Sequence, residues 1–470
     1  MLRTLQRPLA SLAGACFQRP AAAKASFHAT AAPAVDAMGA AMQVTLTGAD
    51  QPGIVAKFCE KMAATGATLV DVDDIVVHDK VALQCIVKMP AEASGQMLTD
   101  LLLLEKELNL SIDYGLVNVA DLTAARSRRG FKAYSITMLG STIDFASLGG
   151  VASACYTHGF NIVRMERLSP FKSFANAGKT AVVELTVEGD RDIVDSRSLR
   201  STLFELQRDS GNLDIAVQKD GSSRRQKRMV VMDMDSTLIQ QEVIDEIARI
   251  HGVYDEVAKV TEEAMNGEMD FDESLRMRCA CLKGAPESVF DDVYDIIELT
   301  QGANDFVRVL KALGYKVAVL SGGFTQVVDR VRDDLQLDYA FANTLEVVDG
   351  KLTGEVLGPI VNRERKRDLL ISMAQAEKIT SDQVIAVGDG ANDLDMLREA
   401  GLGVAFNAKP RVQEVAEFTL NRNRLDNILY LLGIRPKDVP DWLAKSSFDE
   451  PDFGIDMSWK KNHGKVRAKE

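Results

Sequence analysis

The stretch Val230-Val231-Met232-Asp233-Met234-Asp235-Ser236-Thr237-Leu238 decides the fold of the C-terminal half of this chain. An apolar run leads directly into two carboxylates separated by one residue, and two hydroxyl side chains follow. In an extended strand, residues i and i+2 point to the same face, so Asp233 and Asp235 share one side of the strand's carboxyl end. Open α/β sheets build their active sites at that end of the strands. Taken alone, the pattern also fits a solvated strand end that forms an Asx-turn.

Three later segments place further polar groups beside apolar strands or at a helix start. They are Lys316–Phe324, Arg363–Asp368 and Val384–Asp393. Each segment alone is weak evidence for a functional site, because Ser321 also fits a helix cap and Lys366 also fits a solvated helix face. Together they combine carboxylates, a hydroxyl, an ammonium and glycine backbone amides, which is a phosphate-binding set. Clustered acidic oxygens without His or Cys favour Mg²⁺, and a remaining carboxylate can attack phosphorus.

In chain order, these motifs resemble the haloacid dehalogenase superfamily over about Met229 to Leu432. The resemblance implies an α/β domain at 229–435 with a doubly wound, Rossmann-like parallel sheet. It implies that Asp233 is the nucleophile and that Asp235 is first general acid and then general base. Mg²⁺ would be held by Asp233, the backbone carbonyl of Asp235, and Asp389. The phosphoryl-binding residues and their supporting network would be Ser321, Gly322, Lys366, Asn392 and Asp393.

About eighty residues separate the first strand from the Ser321 strand, far more than a direct crossover needs. The helical patterns in this span predict an inserted cap at about 243–302, which could exclude water and select the substrate. By composition alone, Glu242 and Arg278 would be surface charges.

The cap strings Met-Asn-Gly-x-Met-x-Phe and Ser-Leu-Arg-x-Arg, together with Glu242, resemble phosphoserine phosphatases. This resemblance implies that Glu242 binds the substrate ammonium and that Arg278 clamps its carboxylate. Met265 and Phe271 would line the pocket. An Asp349-Gly350 turn predicts a hairpin that would form a small second flap beside the site.

Two segments before this domain, residues 42–120 and 132–220, share the pattern β-α-β-β-α-β, which predicts two ferredoxin-like domains. In the first, Asp50-Gln51-Pro52-Gly53-Ile54-Val55 resembles the first loop of ACT domains, which bind amino acids. The resemblance implies a regulatory ligand near Asp50 and Gly53, most simply L-serine, and a homodimer. A purely dimerising role is the alternative. The polar stretch Lys219–Arg228 predicts a linker.

The first 38 residues have a different composition. They contain Arg3, Arg7, Arg19 and Lys24 before the first acid, Asp36. Such segments are typical of organelle transit peptides, so we expect mitochondrial targeting, with plastid targeting or a plain disordered extension as alternatives. Residues 436–470 are expected to form a flexible tail.

The composition of the chain narrows its partners. A length of 470 residues predicts two to four domains, and a net charge of −13 argues against nucleic acid as a main partner. Apolar runs stay below the roughly 18 residues that a membrane helix needs, so no membrane partner is expected. The six cysteines show no zinc-type spacing.

These observations predict Mg²⁺-dependent hydrolysis of O-phospho-L-serine through an aspartyl-phosphate, the last step of serine synthesis. A related phosphatase for another small phosphomonoester would carry much the same motifs. An amino-acid-binding regulatory protein with an inactive phosphatase module is a second possibility from a different class. A scaffold that works through its ACT-like repeats is a third.

Overall fold

A computed structural model of the chain describes residues 41–77, 79–88, 90, 93–117, 131–169, 180–190, 194–221, 224, 226–265, 269–414, 416, 418–435 and 438. The predicted transit peptide and, apart from Asp438, the predicted C-terminal tail lie outside these residues. The chain divides into two compact units, residues 1–129 and residues 130–470. Within the described residues, no helix has the length and apolar character needed to cross a membrane.

The first unit contains a ferredoxin-like module whose four strands pair antiparallel in the order β2-β3-β1-β4. Its elements are β1 (Ala41–Ala49), α1 (Ile54–Ala64), β2 (Thr68–Val77), β3 (Lys80–Lys88), α2 (Ser94–Leu108) and β4 (Leu110–Val117). Alternate residues of β3, including Leu83 and Cys85, are buried against Phe58 of α1 and Leu101 of α2. This alternation is the period of a half-buried strand, and it confirms the predicted β-α-β-β-α-β order.

The second unit begins with a second ferredoxin-like module, whose sheet order is β6-β7-β5-β8. Its elements are β5 (Phe131–Gly140), α3 (Phe145–Thr157), β6 (Asn161–Arg167), β7 (Ala181–Asp190), α4 (Ser196–Ser210) and β8 (Leu213–Lys219). Gly150 lies inside α3, where an added Cβ would stand 3.1 Å from Leu206 of α4. The glycine therefore lets the two helices pack closely.

The C-terminal domain is built on a seven-stranded sheet in the order β12-β11-β10-β9-β13-β14-β15 among the described residues. Its strands are β9 (Met229–Met232), β10 (Lys316–Phe324), β11 (Tyr339–Val348), β12 (Lys351–Leu357), β13 (Val384–Gly388), β14 (Leu402–Phe406) and β15 (Phe418–Leu420). The central strand β9 is parallel to both β10 and β13, and all four of its residues are buried. Strands that are buried on both faces read as continuous apolar runs, which is why Val230-Val231-Met232 showed no alternation.

Helices cover both faces of this sheet, as in a doubly wound fold. They are α5 (Val243–His251), α6 (Tyr254–Met265), α7 (Phe271–Cys281), α8 (Val289–Ile296), α9 (Ala303–Ala312), α10 (Thr325–Leu335), α11 (Arg363–Ala376), α12 (Leu394–Glu399), α13 (Pro410–Gln413) and α14 (Ile428–Leu431). Two separate apolar clusters, one around Val230 and Phe324 and one around Val231 and Leu370, lie on opposite faces of β9. The predicted Rossmann-like α/β fold is confirmed.

Four helices, α5 to α8, lie between β9 and α9, where the inserted cap was predicted. The predicted hairpin is also present: Asp349 and Gly350 both have positive φ, 51° and 70°, as the turn between β11 and β12 requires. The hairpin packs closely against the cap. An added Cβ at Gly354 would stand 3.0 Å from Ala280 Cα of α7, and Gly284 N donates to Leu352 O at 2.8 Å.

The second module packs directly on the C-terminal domain. Gln207 Nε2 of α4 donates to Thr419 Oγ1 at 2.7 Å, and Gln218 Nε2 of β8 donates to Leu431 O at 2.7 Å. In the stretch predicted as a linker, Arg224 is buried and forms an ion pair with Glu184. Lys227 is also buried, so part of this stretch is a packed connection between the two domains rather than a free linker.

Candidate active site

Asp233 is positioned by the end of β9. Its backbone N–H donates to Val387 O at 2.9 Å, which continues the pairing with β13, and its Oδ1 accepts from Met234 N at 2.8 Å. The chain then turns sharply, because Ser236 has a left-handed φ of 56°. The side chain of Asp233 is only 6% exposed, so its charge is removed from bulk water.

The carboxylate of Asp235 is held by two donors. Its Oδ1 accepts from Val243 N, the first amide of α5, at 2.8 Å, and its Oδ2 accepts from Ser321 Oγ at 2.8 Å. Ser321 Oγ in turn accepts from Gly323 N at 2.8 Å. An added Cβ at Gly323 would stand 3.2 Å from Asp235 Oδ2, so the small residue leaves room for the carboxylate. These bonds link the ends of β9, β10 and α5.

Lys366 lies at the centre of the acidic groups. Its side chain is fully buried, and Nζ lies 2.7 Å from Asp233 Oδ1 and 2.8 Å from Asp393 Oδ1. Burial alone lowers a lysine pKa, but the two carboxylates outweigh it and hold the pKa of Lys366 above its ordinary value. An added Cβ at Gly388 would fall 2.4 Å from Asp393 Cγ, so this glycine is needed for the carboxylate to reach the lysine.

Three carboxylates converge in the arrangement of a metal site. One ligand oxygen each of Asp233, Asp389 and Asp393 lies within 4.8 Å of the others. Thr237 Oγ1 donates to Asp389 Oδ1 at 3.1 Å. Burial, followed by repulsion from Asp393, raises the pKa of Asp233 well above its usual range. Burial, again followed by repulsion from Asp393, raises the pKa of Asp389 to about 6.

The four buried carboxylates of this site, those of Asp233, Asp235, Asp389 and Asp393, surround one buried ammonium among the described residues. This unbalanced negative charge and the all-oxygen donor set fit a hard divalent cation. The predicted metal set named Asp233, Asp235 and Asp389. A carboxylate oxygen of Asp393, which the sequence placed in the supporting network, lies in the same group while Asp393 also contacts Lys366.

The structure brings two of the predicted pocket residues to the mouth of this cluster. Glu242 precedes α5, and its Oε1 accepts from Ser236 Oγ at 2.9 Å. The residue keeps an exposed face, but protein atoms crowd its carboxyl group. This desolvation and repulsion from Asp235 raise the pKa of Glu242 to about 7. Phe271 reaches from the cap to β10, since an added Cβ at Gly322 would stand 3.3 Å from Phe271 Cζ.

Arg278 of α7 has one side-chain N–H group that makes no hydrogen bond within the described residues. Its Nε is buried and has no hydrogen-bond partner among the described residues. Its charge acts on Asp245 of α5, whose pKa is raised by burial and partly lowered again by Arg278. A buried guanidinium donor without a partner is costly unless a ligand completes it. The Met265 side chain and residues 266–268 of the same string lie outside the described part of the chain.

Gly322 and Asn392 lie next in sequence to two groups of the site, Ser321 and Asp393 respectively. Gly322 O accepts from Asn343 Nδ2 at 2.8 Å, which fixes the backbone after Ser321. The side chain of Asn392 folds back over the preceding glycine, since an added Cβ at Gly390 would fall 2.1 Å from Asn392 Oδ1. Sequence reasoning did not single out Asn343 or Thr237, which secure the edges of the site. Thr237 was part of the quoted motif, whereas Asn343 lies within β11 and has no motif of its own.

The proposed regulatory residues lie in the first module. Gly53 has a φ of 96° at the start of α1, a conformation that favours glycine. An added Cβ there would meet no atom within 4 Å, so the space above the turn is open. Asp50 is exposed, and its N–H donates to Asp79 O at 2.7 Å. Backbone conformation alone therefore accounts for a glycine at position 53, and the open space leaves room for a ligand.

Comparisons with known proteins agree with this geometry. A family profile for haloacid dehalogenase-like hydrolase matches residues 227–401, and a profile for ACT domain matches residues 40–115. The phosphoserine phosphatase of Streptomyces coelicolor is 42% identical over 411 residues, which cover 87% of this chain and 96% of that protein. The phosphoserine phosphatase SerB2 of Mycobacterium tuberculosis is 37% identical over 397 residues, which cover 84% of this chain and 94% of that protein.

A similar fold has been solved by crystallography. The crystal structure of a HAD family hydrolase from Salmonella enterica serovar Typhi superposes with a TM-score of 0.54 and 30% sequence identity. The match covers 64% of this chain and 98% of that one.

Proposed function

Because this chain belongs to the phosphoserine phosphatase family of haloacid dehalogenase-like hydrolases, we propose that it hydrolyses O-phospho-L-serine to L-serine and phosphate. This reaction is the last step of serine biosynthesis. The observation that carries the proposal is the contact of buried Lys366 with both Asp233 and Asp393, beside Asp235 and Ser321. Such a set supplies a nucleophile, a proton carrier and phosphate-binding groups within one pocket.

Asp233 is the nucleophile in this proposal. Contact with the Lys366 ammonium favours its ionised form, which opposes the effect of burial on its pKa. Its carboxylate oxygen attacks phosphorus while the bond between phosphorus and the serine oxygen breaks, which leaves an aspartyl-phosphate on Asp233. Ser321 Oγ, the Gly322 backbone and Lys366 Nζ then hold the transferred phosphoryl oxygens.

Asp235 carries the proton. Burial raises its pKa, and the Val243 and Ser321 bonds fix the orientation of its carboxyl group. In the first step Asp235 donates a proton to the leaving serine oxygen. In the second it takes a proton from a water molecule that attacks phosphorus, which releases phosphate and restores Asp233.

Mg²⁺ is the proposed cofactor, and Asp233, Asp389 and the backbone carbonyl of Asp235 would hold it, with Asp393 beside them. When bound, it neutralises charge on the phosphoryl oxygens. The buried excess of carboxylates and the raised pKa of Asp389 support a divalent cation here.

Recognition of the amino acid is proposed for Glu242 and Arg278. The unpartnered Nε of Arg278 suits the substrate carboxylate, and the Glu242 carboxylate suits its ammonium. Binding of the ammonium lowers the pKa of Glu242, because an adjacent positive charge favours the ionised form. Phe271 supplies an apolar wall, where the sequence also predicts Met265.

The test is phosphate release from a panel of small phosphomonoesters, with and without Mg²⁺. We expect phosphoserine to be the preferred substrate and activity to require the cation. If another phosphomonoester is preferred, the assignment of phosphoserine as substrate is wrong but the assignment as a phosphatase stands. Absence of hydrolysis with every substrate at saturating Mg²⁺ would identify a regulatory protein with an inactive module.

The ferredoxin-like modules are proposed to form a homodimer and to bind L-serine near Asp50 and Gly53. The edge strand β2 exposes Leu69, Val72 and Val76 on one face, an apolar surface of the kind that protein contacts cover. Light scattering of the purified protein, with and without L-serine, tests the dimer. Calorimetric titration of a Gly53→Val variant tests the ligand site.

Residues 1–38 are proposed to direct the protein to the mitochondrion, with the plastid as the alternative. The proposal is supported by arginines and the absence of acids before Asp36. Imaging of the first 38 residues fused to a fluorescent protein distinguishes the two compartments. Diffuse fluorescence would indicate a plain extension.

A further inference from the structure

A cavity of about 650 Å³ lies inside the second unit, between the second ferredoxin-like module and the C-terminal domain. One wall is formed by the end of α4 and the start of β8, and the other by Pro410, Gln413, Glu414, residues 421–424 and Asn427. Neither Asp233 nor Lys366 lines it, so it is separate from the candidate active site. The proposed substrate-binding residues Glu242 and Arg278 do not line it either.

Two hydrogen-bond donors on its walls are buried and make no hydrogen bond among the described residues. They are Arg422 Nε and Asn427 Nδ2. Asn427 is only 2% exposed, so water from the bulk cannot readily satisfy its amide. Buried donors without partners are rare and costly, and their presence on one cavity wall indicates a missing acceptor.

The donors of the lining suit an anion. Arg208, Arg422 and Arg424 line the cavity with the acids Asp214 and Glu414, and Arg424 is already ion-paired with Asp426, so Arg422 is the candidate guanidinium for a ligand. The carboxylate of Asp214 already accepts two hydrogen bonds, because its Oδ1 accepts from Gln207 Nε2 at 3.2 Å and from Asn421 N at 3.1 Å. The guanidinium of Arg422 also donates to Asn212 O, and its Nε lies 3.8 Å from Asp214 Oδ2, an ion pair that leaves Nε without a hydrogen bond in the described part of the chain. Guanidinium and amide donors together suit carboxylate or phosphate oxygens.

The cavity wall is connected to the catalytic loop through the segment that leaves the cap. Leu425 N donates to Gln301 O at 2.8 Å, and Thr300 N donates to Leu238 O at 2.9 Å. Asp426 packs so closely on Gly302 that an added Cβ there would fall 2.4 Å from its Oδ1. Residues 425–427 therefore lie two hydrogen bonds from the loop that carries Asp235.

We propose that this junction cavity is a regulatory site for a small oxyanion, a metabolite bearing a carboxylate or phosphate group, held by Arg422 and Asn427. Occupancy orders the wall at 421–427 and, through Gln301 and Thr300, changes the position of the cap exit relative to the catalytic loop. The two candidate sources of the oxyanion are L-serine and inorganic phosphate.

The experiment compares the full-length protein with Arg422→Gln and with Arg411→Gln, a matched variant of an exposed arginine outside the cavity. Each probe is titrated by calorimetry, and its effect on phosphate release from phosphoserine is measured. Binding of either probe in the active site is common to all three proteins and cancels in the comparison. Release without an added probe tests the proposed function separately.

We expect one probe to bind Arg422→Gln about tenfold to a hundredfold more weakly than Arg411→Gln, the loss typical of one charged hydrogen bond. The same probe should change the rate of the unsubstituted protein and of Arg411→Gln, but not of Arg422→Gln. Equal binding to both variants, or an equal effect on their rates, would overturn the proposal.

Because Arg422→Gln also removes the charge beside Asp214, a second measurement uses the unsubstituted protein. Hydrogen exchange with and without each probe should show new protection at residues 421–427 and 298–302. If neither probe protects these residues, the cavity is not a regulatory site for these oxyanions and the proposal fails.

Discussion

Replacement of Lys366 by Met tests the buried charge cluster most informatively. Methionine fills a similar volume without charge, so the substitution isolates the electrostatic role of the ammonium. It leaves Asp233 and Asp393 buried without a counter-ion. Breaking a buried ion pair by removing one partner costs about 3–5 kcal/mol, which for a domain of this size lowers the melting temperature by roughly 6–20 °C.

The assay is thermal unfolding in metal-free buffer, followed by circular dichroism, with phosphate release measured separately in Mg²⁺. The matched control is Arg363→Met on the same helix. Arg363 pairs with Asp395, but its side chain is 41% exposed, so its loss should cost less than about 1 kcal/mol. Only the Lys366 variant should lose activity, because only that ammonium contacts Asp233.

A second substitution, Asp393→Asn, should change the stability in opposite directions in the two backgrounds. Adding Asp393→Asn to Lys366→Met removes one of the two carboxylates that lost their direct contact with the ammonium, so the double variant should be more stable than Lys366→Met alone. In the unsubstituted protein, the same Asp393→Asn change should instead destabilise, because it removes a partner of Lys366. If Asp393→Asn lowers stability equally in both backgrounds, the reasoning about coupled buried charges is refuted.

Four further outcomes are expected. Asp233→Asn should reduce phosphate release below about one thousandth of the original rate while its circular dichroism spectrum is retained, and substantial residual turnover would remove Asp233 from the nucleophile role. Arg278→Ala should raise the KM for phosphoserine about tenfold to a hundredfold but leave hydrolysis of p-nitrophenyl phosphate within a few-fold, and equal effects on both substrates would argue against a carboxylate clamp. Removal of Mg²⁺ by a chelator should abolish activity reversibly, and Mg²⁺ at about a hundred times its Kd should stabilise the protein by roughly 2.7 kcal/mol, a gain that Asp389→Asn should largely lose. Burial raises the pKa of Asp214 to about 6 from 3.8, so the folded state holds the proton more tightly than the unfolded one. The stability contributed by this proton is complete below about pH 4 and is lost as the pH rises through 6, by up to about 3 kcal/mol. Asp214→Asn should therefore gain stability relative to the original protein between pH 4 and 7, and parallel melting curves across that range would contradict the assignment.

Much of the fold could be predicted because local patterns agreed with the final architecture. The apolar run before Asp233 and the run before Gly388 both became buried parallel strands, and their carboxyl ends met at one edge. The αL turn at Asp349 and Gly350 formed where the dipeptide indicated it. These features depend on residues close together in the sequence, so periodicity and turn chemistry were sufficient.

Contacts between distant residues could not be predicted in this way. Gln207 and Thr419 join two domains through one hydrogen bond, yet neither belongs to a motif. The burial of Arg224 and Lys227 depended on how the second module docks, whereas their composition indicated a solvated linker. In the active site, family resemblance identified the residues, but the contact of Asp393 with Lys366, which depends on the space that Gly388 leaves, became clear only from the structure.

The most direct test of the account is to trap the phosphorylated enzyme. The protein is mixed with phosphoserine labelled on phosphorus and Mg²⁺, quenched in acid within one turnover, and digested for mass spectrometry. The account predicts one labelled peptide, with the phosphoryl group on Asp233, and no label after Asp233→Asn. Label on another residue, or full turnover without any phosphorylated enzyme at the shortest times, would contradict it.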